Sequence, residues 1–161
     1  MTMTHPAFED IAVGYELPPL VKGPIQVGHI VRWSAAMENW HRMHYDWRYA
    51  TQHDGLPDVL VNGSWKQHVL IQHLTDWAGE DGWVWKSKFQ FRGMNVPGDT
   101  VRAWARVTGT ETKGGYGLVH LDIGMLNQDD KEAAPGTATI VLPLAGGAKV
   151  PYPFDPAVIA A

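Results

Sequence analysis

Nine consecutive residues, Glu38-Asn39-Trp40-His41-Arg42-Met43-His44-Tyr45-Asp46, bring together two histidines three apart, two carboxylates, an amide and an arginine. Imidazole is the side chain that exchanges protons near neutral pH, and a nearby carboxylate can serve as a second acid or base. The cluster therefore carries the general acid and base groups that proton transfer near neutral pH needs. Histidines three apart with an aspartate two further on are also part of a metal-ligand pattern, but no third imidazole or carboxylate is obviously placed to complete it. No metal is expected. The bland alternative is an ordinary loop with partly exposed histidines.

These residues need elements to hold them. Upstream, Ile30, Trp33, Met37 and Trp40 recur at helical spacing, which predicts an amphipathic helix from Val27 to Trp40, entered from the Gly23-Pro24 turn. A second helix is predicted from Gly63-Ser64, with Ser64 as its cap, to about Ala78. Trp65, Val69, Leu70, Ile71, Leu74 and Trp77 leave it little polar face, so it should be buried. After Gly82 the period becomes two: Trp83, Trp85, Phe89 and Phe91 alternate with Lys86, Lys88, Gln90 and Arg92, as in a strand with two different faces. Three further strands, Val101 to Thr108, Tyr116 to Leu126 and Thr137 to Leu142, are separated by Pro97-Gly98-Asp99, Gly114-Gly115 and the polar Asn127 to Glu132 run.

One long apolar helix and one antiparallel meander bury each other only if the sheet curls around the helix. That is an α+β hotdog fold, expected over residues 1–144, followed by an extended proline-rich tail over residues 145–161 that lies across a partner. The 161-residue length allows one domain, and a chain of this size needs no disulfide or metal to hold a core. With no cysteine there is no thiolate nucleophile and no sulfur-based metal site. Seventeen acidic against thirteen basic residues give a net charge of -4, which argues against a nucleic-acid partner. No run approaches the roughly 18 apolar residues of a membrane span, and Met1 to Asp10 lacks the pattern of a signal peptide, so a cytoplasmic protein is expected.

Four pieces of the chain, in order, resemble the MaoC-like (R)-specific enoyl-CoA hydratase and 3-hydroxyacyl-thioester dehydratase family. They are Phe8 to Gly14; His44-Tyr45-Asp46 with Tyr49-Ala50; Gly55-Leu56-Pro57 through Asn62-Gly63; and Phe91-Arg92 with Pro97-Gly98-Asp99-Thr100. The resemblance implies a lyase that reversibly hydrates a 2-enoyl-CoA or dehydrates a 3-hydroxyacyl-CoA, with the coenzyme A thioester as substrate and no resident cofactor. It maps the signature histidine onto His44. The commoner pattern has an aspartate five positions earlier, where this chain has Asn39, and an asparagine two beyond that, where it has His41. The string His41 to Asp46 is closer to a branch that includes mitochondrial-type dehydratases and mesaconyl- or itaconyl-type hydratases.

Hydration of an enoyl thioester needs a base for water, an acid for the α-carbon and donors for the enolate-like oxygen. His44 is the leading acid-base group. Asn39 can orient water or substrate but not accept a proton, so His41, or else Glu38 or Asp46, must supply any second function. Backbone N–H groups at the Gly63 helix start suit the oxyanion, and a glycine there permits close approach. Gly63 is equally explained as a turn into the helix. Trp40, Asn62, Ser64, Trp65 and Arg92 are expected to bind substrate, with Asn62 standing where the family commonly has a histidine. His68 and His73 read as core histidines. Lys86, Lys88, Arg102 and Arg106 are equally explained as a solvated strand face or as contacts to coenzyme A phosphates.

A homodimer or larger homo-oligomer is expected because an open sheet edge and helix end invite a partner. Asn39 also leaves open a non-catalytic subunit of a heteromeric hydratase. An acyl-CoA thioesterase is weakened by the lack of Asp or Glu between Gly63 and Leu74.

Overall fold

The computed structural model describes residues 5–159; the first four residues and the last two of the expected tail fall outside it. Five strands form one antiparallel sheet: β1 (Leu20–Lys22), β2 (Trp83–Phe89), β3 (Val101–Lys113), β4 (Tyr116–Leu126) and β5 (Gly136–Pro143). Their spatial order is β1-β3-β4-β5-β2. A ten-residue helix α1 (Val27–Ala36) precedes a sixteen-residue helix α2 (Gly63–Ala78), which lies against the sheet. This is the hotdog arrangement.

The core follows from strand periodicity. Ala105 and Val107 of β3, Val119, Leu121 and Ile123 of β4, and Ala138, Ile140 and Leu142 of β5 pack on Leu74 and Trp77 of α2. A second buried cluster joins Val69 and Leu70 to Val101, Ala103 and Met125, with Ile25 and Ile30 from around α1. Each such apolar side chain taken from water contributes about 1.5–3 kcal/mol. The helix is held by the sheet rather than by its own propensity. Between β3 and β4 the Lys113↔Tyr116 pair is closed by Gly114 and Gly115, both at positive φ, the two-residue hairpin geometry that glycine makes accessible.

Three local readings change. The first helix ends at Ala36 rather than Trp40: the Glu38 N–H donates to Ala35 O, the Asn39 N–H to Ser34 O, and Glu38 itself sits at φ 50°. Those bonds form a Schellman stop with glutamate in the position usually held by glycine. In β2 the register slips between Val84 and Lys86. The bulge leaves Trp83 and Trp85 on the outer face while Phe89 turns to the inner one, so the four aromatics do not share a side. Phe91 and Arg92 lie beyond the strand. Finally, the tail packs on this chain's own sheet: Phe154 and Ile159 cover Leu118 and Val141, with Trp83 and Trp85 beside them.

Candidate active site

The loop after α1 is held by its own polar groups. Arg42 donates through Nε and Nη2 to Asp46 Oδ2, at 3.1 and 2.7 Å, and its guanidinium lies 4.4 Å from the Tyr49 ring centre. Asp46 Oδ1 accepts the Tyr49 N–H at 3.0 Å. These bonds, led by the one from Arg42, hold the Asp46 carboxyl below its ordinary value, so it is an anionic clamp for the next turn and a poor proton donor. Tyr45 Oη donates to Trp40 O at 2.8 Å, and Asn39 Oδ1 accepts the His41 N–H at 3.3 Å. Glu38 is exposed. Neither carboxylate of the sequence cluster is thus placed as a second acid.

His44 is placed differently. It occupies a single turn of 3-10 helix (Arg42–His44) and is 8% exposed, in a loop where its neighbours on both sides face solvent more fully. Its Nδ1 lies 2.8 Å from Leu60 O, and the Leu60 N–H returns to Met43 O at 2.9 Å. A carbonyl only accepts, so Nδ1 carries the proton and Nε2 carries the lone pair. Burial lowers the imidazole below its ordinary value, outweighing the Leu60 bond, with the nearby His41 adding to the lowering. The result is a neutral base at neutral pH. The His41 ring centre lies 6.2 Å from that of His44, but His41 itself is exposed.

His44 shares a cavity of about 300 Å³ with Gly63, Lys66, Phe91, Arg92 and Asn95. Gly63 is the first residue of α2, where the N–H groups have no partner within the helix and the positive end of its dipole points out. A Cβ on Gly63 would come within 2.8 Å of Phe91 Cε2, so this position admits only glycine while the Phe91 ring stays in place. The opposite wall is the crossover from β2 to β3, tied down by the Val61 N–H donating to Asn95 O and the Arg92 N–H to Ala133 O.

Of the expected residues, then, His44, Gly63 and Arg92 come together. Arg92 is exposed and turned onto Gln90. Asn62, 1% exposed, is the true cap residue of α2, but its side chain is engaged with Ser34 Oγ, at 3.1 and 3.2 Å. Ser64 lies one residue inside the helix and accepts from Trp33 Nε1 at 2.9 Å, which binds the two helices together and leaves no cap. Trp65 lines a second cavity of about 350 Å³ with Trp33, Ile25, Lys22 and Arg32. The first turn of α2 therefore divides two cavities. Trp40, at 63% exposure, His41 and Asn39 line neither.

The sequence reading missed Lys66. It is 4% exposed, and its Nζ donates to Gly93 O at 2.6 Å. Burial lowers its ammonium below the ordinary value against an opposing pull from Asp99. The available signal was its solitude: Lys66 is the only Asp, Glu, Lys or Arg between Gly63 and Thr75, on a helix with little polar face. Among the described residues no three His, Asp or Glu side chains gather as a metal site. No helix among them is long and apolar enough to cross a membrane.

The sheet curled around α2 is the hotdog fold, and a buried histidine shares a cavity with the helix start. Residues 21–98 match the model of the hydroxyacyl-thioester dehydratase type 2 family, a span that holds both His44 and Gly63. Among solved structures the fold is similar to the (R)-hydratase PhaJ1 from Pseudomonas aeruginosa, with TM-score 0.74 and 17% identity over 86% of each chain. It is similar also to the (R)-hydratase from A. caviae, with TM-score 0.68 and 23% identity over 84% of this chain and 99% of that one. The ChsH1-ChsH2 complex from Mycobacterium tuberculosis matches with TM-score 0.70 and 21% identity over 81% of this chain and 98% of that one. No curated protein sequence matches the chain.

Proposed function

We propose that the protein reversibly hydrates a 2-enoyl-CoA, or in the other direction dehydrates a 3-hydroxyacyl-CoA, using the thioester as substrate and no resident cofactor. The observation that carries the reading is the placement of His44, a neutral buried base with its Nε2 lone pair free, in one cavity with the N-terminus of α2. A water held by Nε2 gives it a proton while its oxygen bonds the β-carbon. The double-bond electrons shift toward the thioester carbonyl, whose oxygen takes the charge. The imidazolium then returns a proton to the α-carbon. The Gly63 and Ser64 N–H groups, free at the helix start, suit that oxygen.

The cavity lining includes no carboxylate, which disfavours a thioesterase that activates water with Asp or Glu. Loss of the conjugated enoyl-thioester absorbance on incubation with crotonyl-CoA, or with longer or branched enoyl-CoAs, supports the hydratase; release of free thiol instead would identify a thioesterase. One observation favours a second reading. Asn39 closes its own loop through the His41 N–H and lines neither cavity, and among the described residues no carboxylate lines the cavity of His44. A hotdog partner that supplies one would make this chain a subunit of a heteromeric hydratase. Inactivity alone, with recovery on adding such a partner, is the outcome expected for that reading; activity of the purified homo-oligomer excludes it.

A further inference from the structure

We propose that Lys66 is a catalytic residue of this site, its ammonium joining the Gly63 N–H in holding the thioester carbonyl oxygen on which negative charge develops. The inference rests on the hydration reading and adds a residue to it. Lys66 stands three positions after Gly63, hence on the same face of α2, and the two line one cavity with His44.

A buried charge is costly unless it is paired. Lys66 is 4% exposed and enters no ion pair among the described residues. The nearest acidic influence, Asp99, is already engaged: its Oδ2 accepts from Asn95 Nδ2 and the Val96 N–H, and its Oδ1 from Gln128 Nε2. Nζ has one acceptor, the neutral Gly93 carbonyl, and the Phe91 ring centre lies 5.9 Å away. An ammonium has three donors, so among the described residues two N–H groups have no acceptor in a cavity that also holds the base. Mere filling of this space needs no charge, and a methionine would serve better. A cation here matches an oxygen that becomes negative only during reaction, where a donor in a low-dielectric site does most to lower a barrier. In that step the water oxygen bonds the β-carbon, one water proton goes to His44 Nε2, and the double-bond electrons move until the thioester oxygen carries the charge. Proton return to the α-carbon restores the carbonyl. Lys66 neither gains nor loses a proton.

The test uses two variants, Lys66→Met, which keeps the volume, and Lys66→Gln, which keeps a donor for Gly93 but no charge. Both should fold, and both should lower kcat with crotonyl-CoA by about 100-fold or more, with KM changed far less. In a His44→Ala background, where bound crotonyl-CoA is turned over far more slowly, the thioester carbonyl stretch should lie below that of free crotonyl-CoA, and adding Lys66→Met should return it toward the free value. A kcat kept within twofold in the folded variants, or a carbonyl band unmoved by Lys66→Met in the bound complex, would overturn the role of Lys66 and leave the hydratase reading standing. Failure of the wild-type protein to hydrate any enoyl-CoA would strike that reading, while the carbonyl band still decides Lys66. Failure of the wild-type and the His44→Ala protein alike to bind crotonyl-CoA would overturn both.

Discussion

His44 and Leu60, sixteen residues apart, are joined by a 2.8 Å bond from the imidazole Nδ1 to the main-chain carbonyl. With the Leu60 N–H returning to Met43 O, the bond ties the histidine loop to the segment that leads into α2. One frame thus fixes both the proton-bearing nitrogen of the imidazole and its position relative to the helix N-terminus.

The first prediction concerns pH. Burial keeps His44 below the ordinary histidine value of 6.5, and the proposed mechanism uses the neutral form. As pH falls through the lowered value the imidazole takes a proton and the base is lost. The acid limb of kcat/KM should therefore lie below pH 6.5, with a plateau through neutrality. A limb centred above 6.5 in the pH profile would contradict the burial argument.

Gly63→Ala should lower both stability and activity. The added Cβ meets the Phe91 ring at 2.8 Å, an overpacking that costs about 1–3 kcal/mol. Removing the ring in Phe91→Ala should recover most of that stability in the double variant, a coupling that urea melts of the four proteins would read. If the alanine still crowds the oxyanion position, activity stays low after stability returns.

How much of this was legible in the chain depends on what each signal measures. Strand alternation and a helix with a broad apolar face report burial directly, so α2, β4 and the wrapped sheet were readable from Trp65 to Leu142. The end of α1 was not, because Met37 and Trp40 continue the helical spacing while the stop comes from a left-handed Glu38 with no glycine or proline to mark it. A three-residue strand such as β1 is too short to show a period. The bulge at Trp85 reverses a face without changing composition. In the site, His44 and Gly63 stood out by type and spacing. Lys66 did not, since its burial comes from a crossover around Phe91 to Asn95, remote in sequence from the helix it covers. Asn62 and Ser64 stand where the sequence suggests substrate contacts, but their side chains are engaged with Ser34 and Trp33, partners that no spacing predicts.

Stability should fall in mild acid. His73 is fully buried, bonded through Nε2 to Pro18 O at 2.8 Å, and burial lowers its folded value below 6.5. The unfolded chain takes up the proton first, so the stability present above pH 6.5 is lost progressively as pH drops toward the folded value. His73→Gln keeps a donor for Pro18 and removes the titration. Its urea midpoint should change less than that of the wild type between pH 7.5 and 5; an identical change would show that other groups dominate.

The tail should stabilise this chain's own sheet. Phe154 is 8% exposed against Trp85, at 6.1 Å between ring centres, with Val141 and Leu118 beneath. Phe154→Ala should cost about 3 kcal/mol in urea unfolding while leaving kcat near its original value, because the tail lies on the sheet face away from α2. A loss of activity at full stability would place the tail at the site.

The central claim is that the His44 imidazole is the base of the reaction, and the direct measurement is the turnover of crotonyl-CoA by purified wild-type protein and by His44→Ala side by side. Loss of the imidazole should lower kcat by about 10²–10⁴-fold with the fold intact by circular dichroism. Unchanged turnover in the folded variant would contradict the assignment.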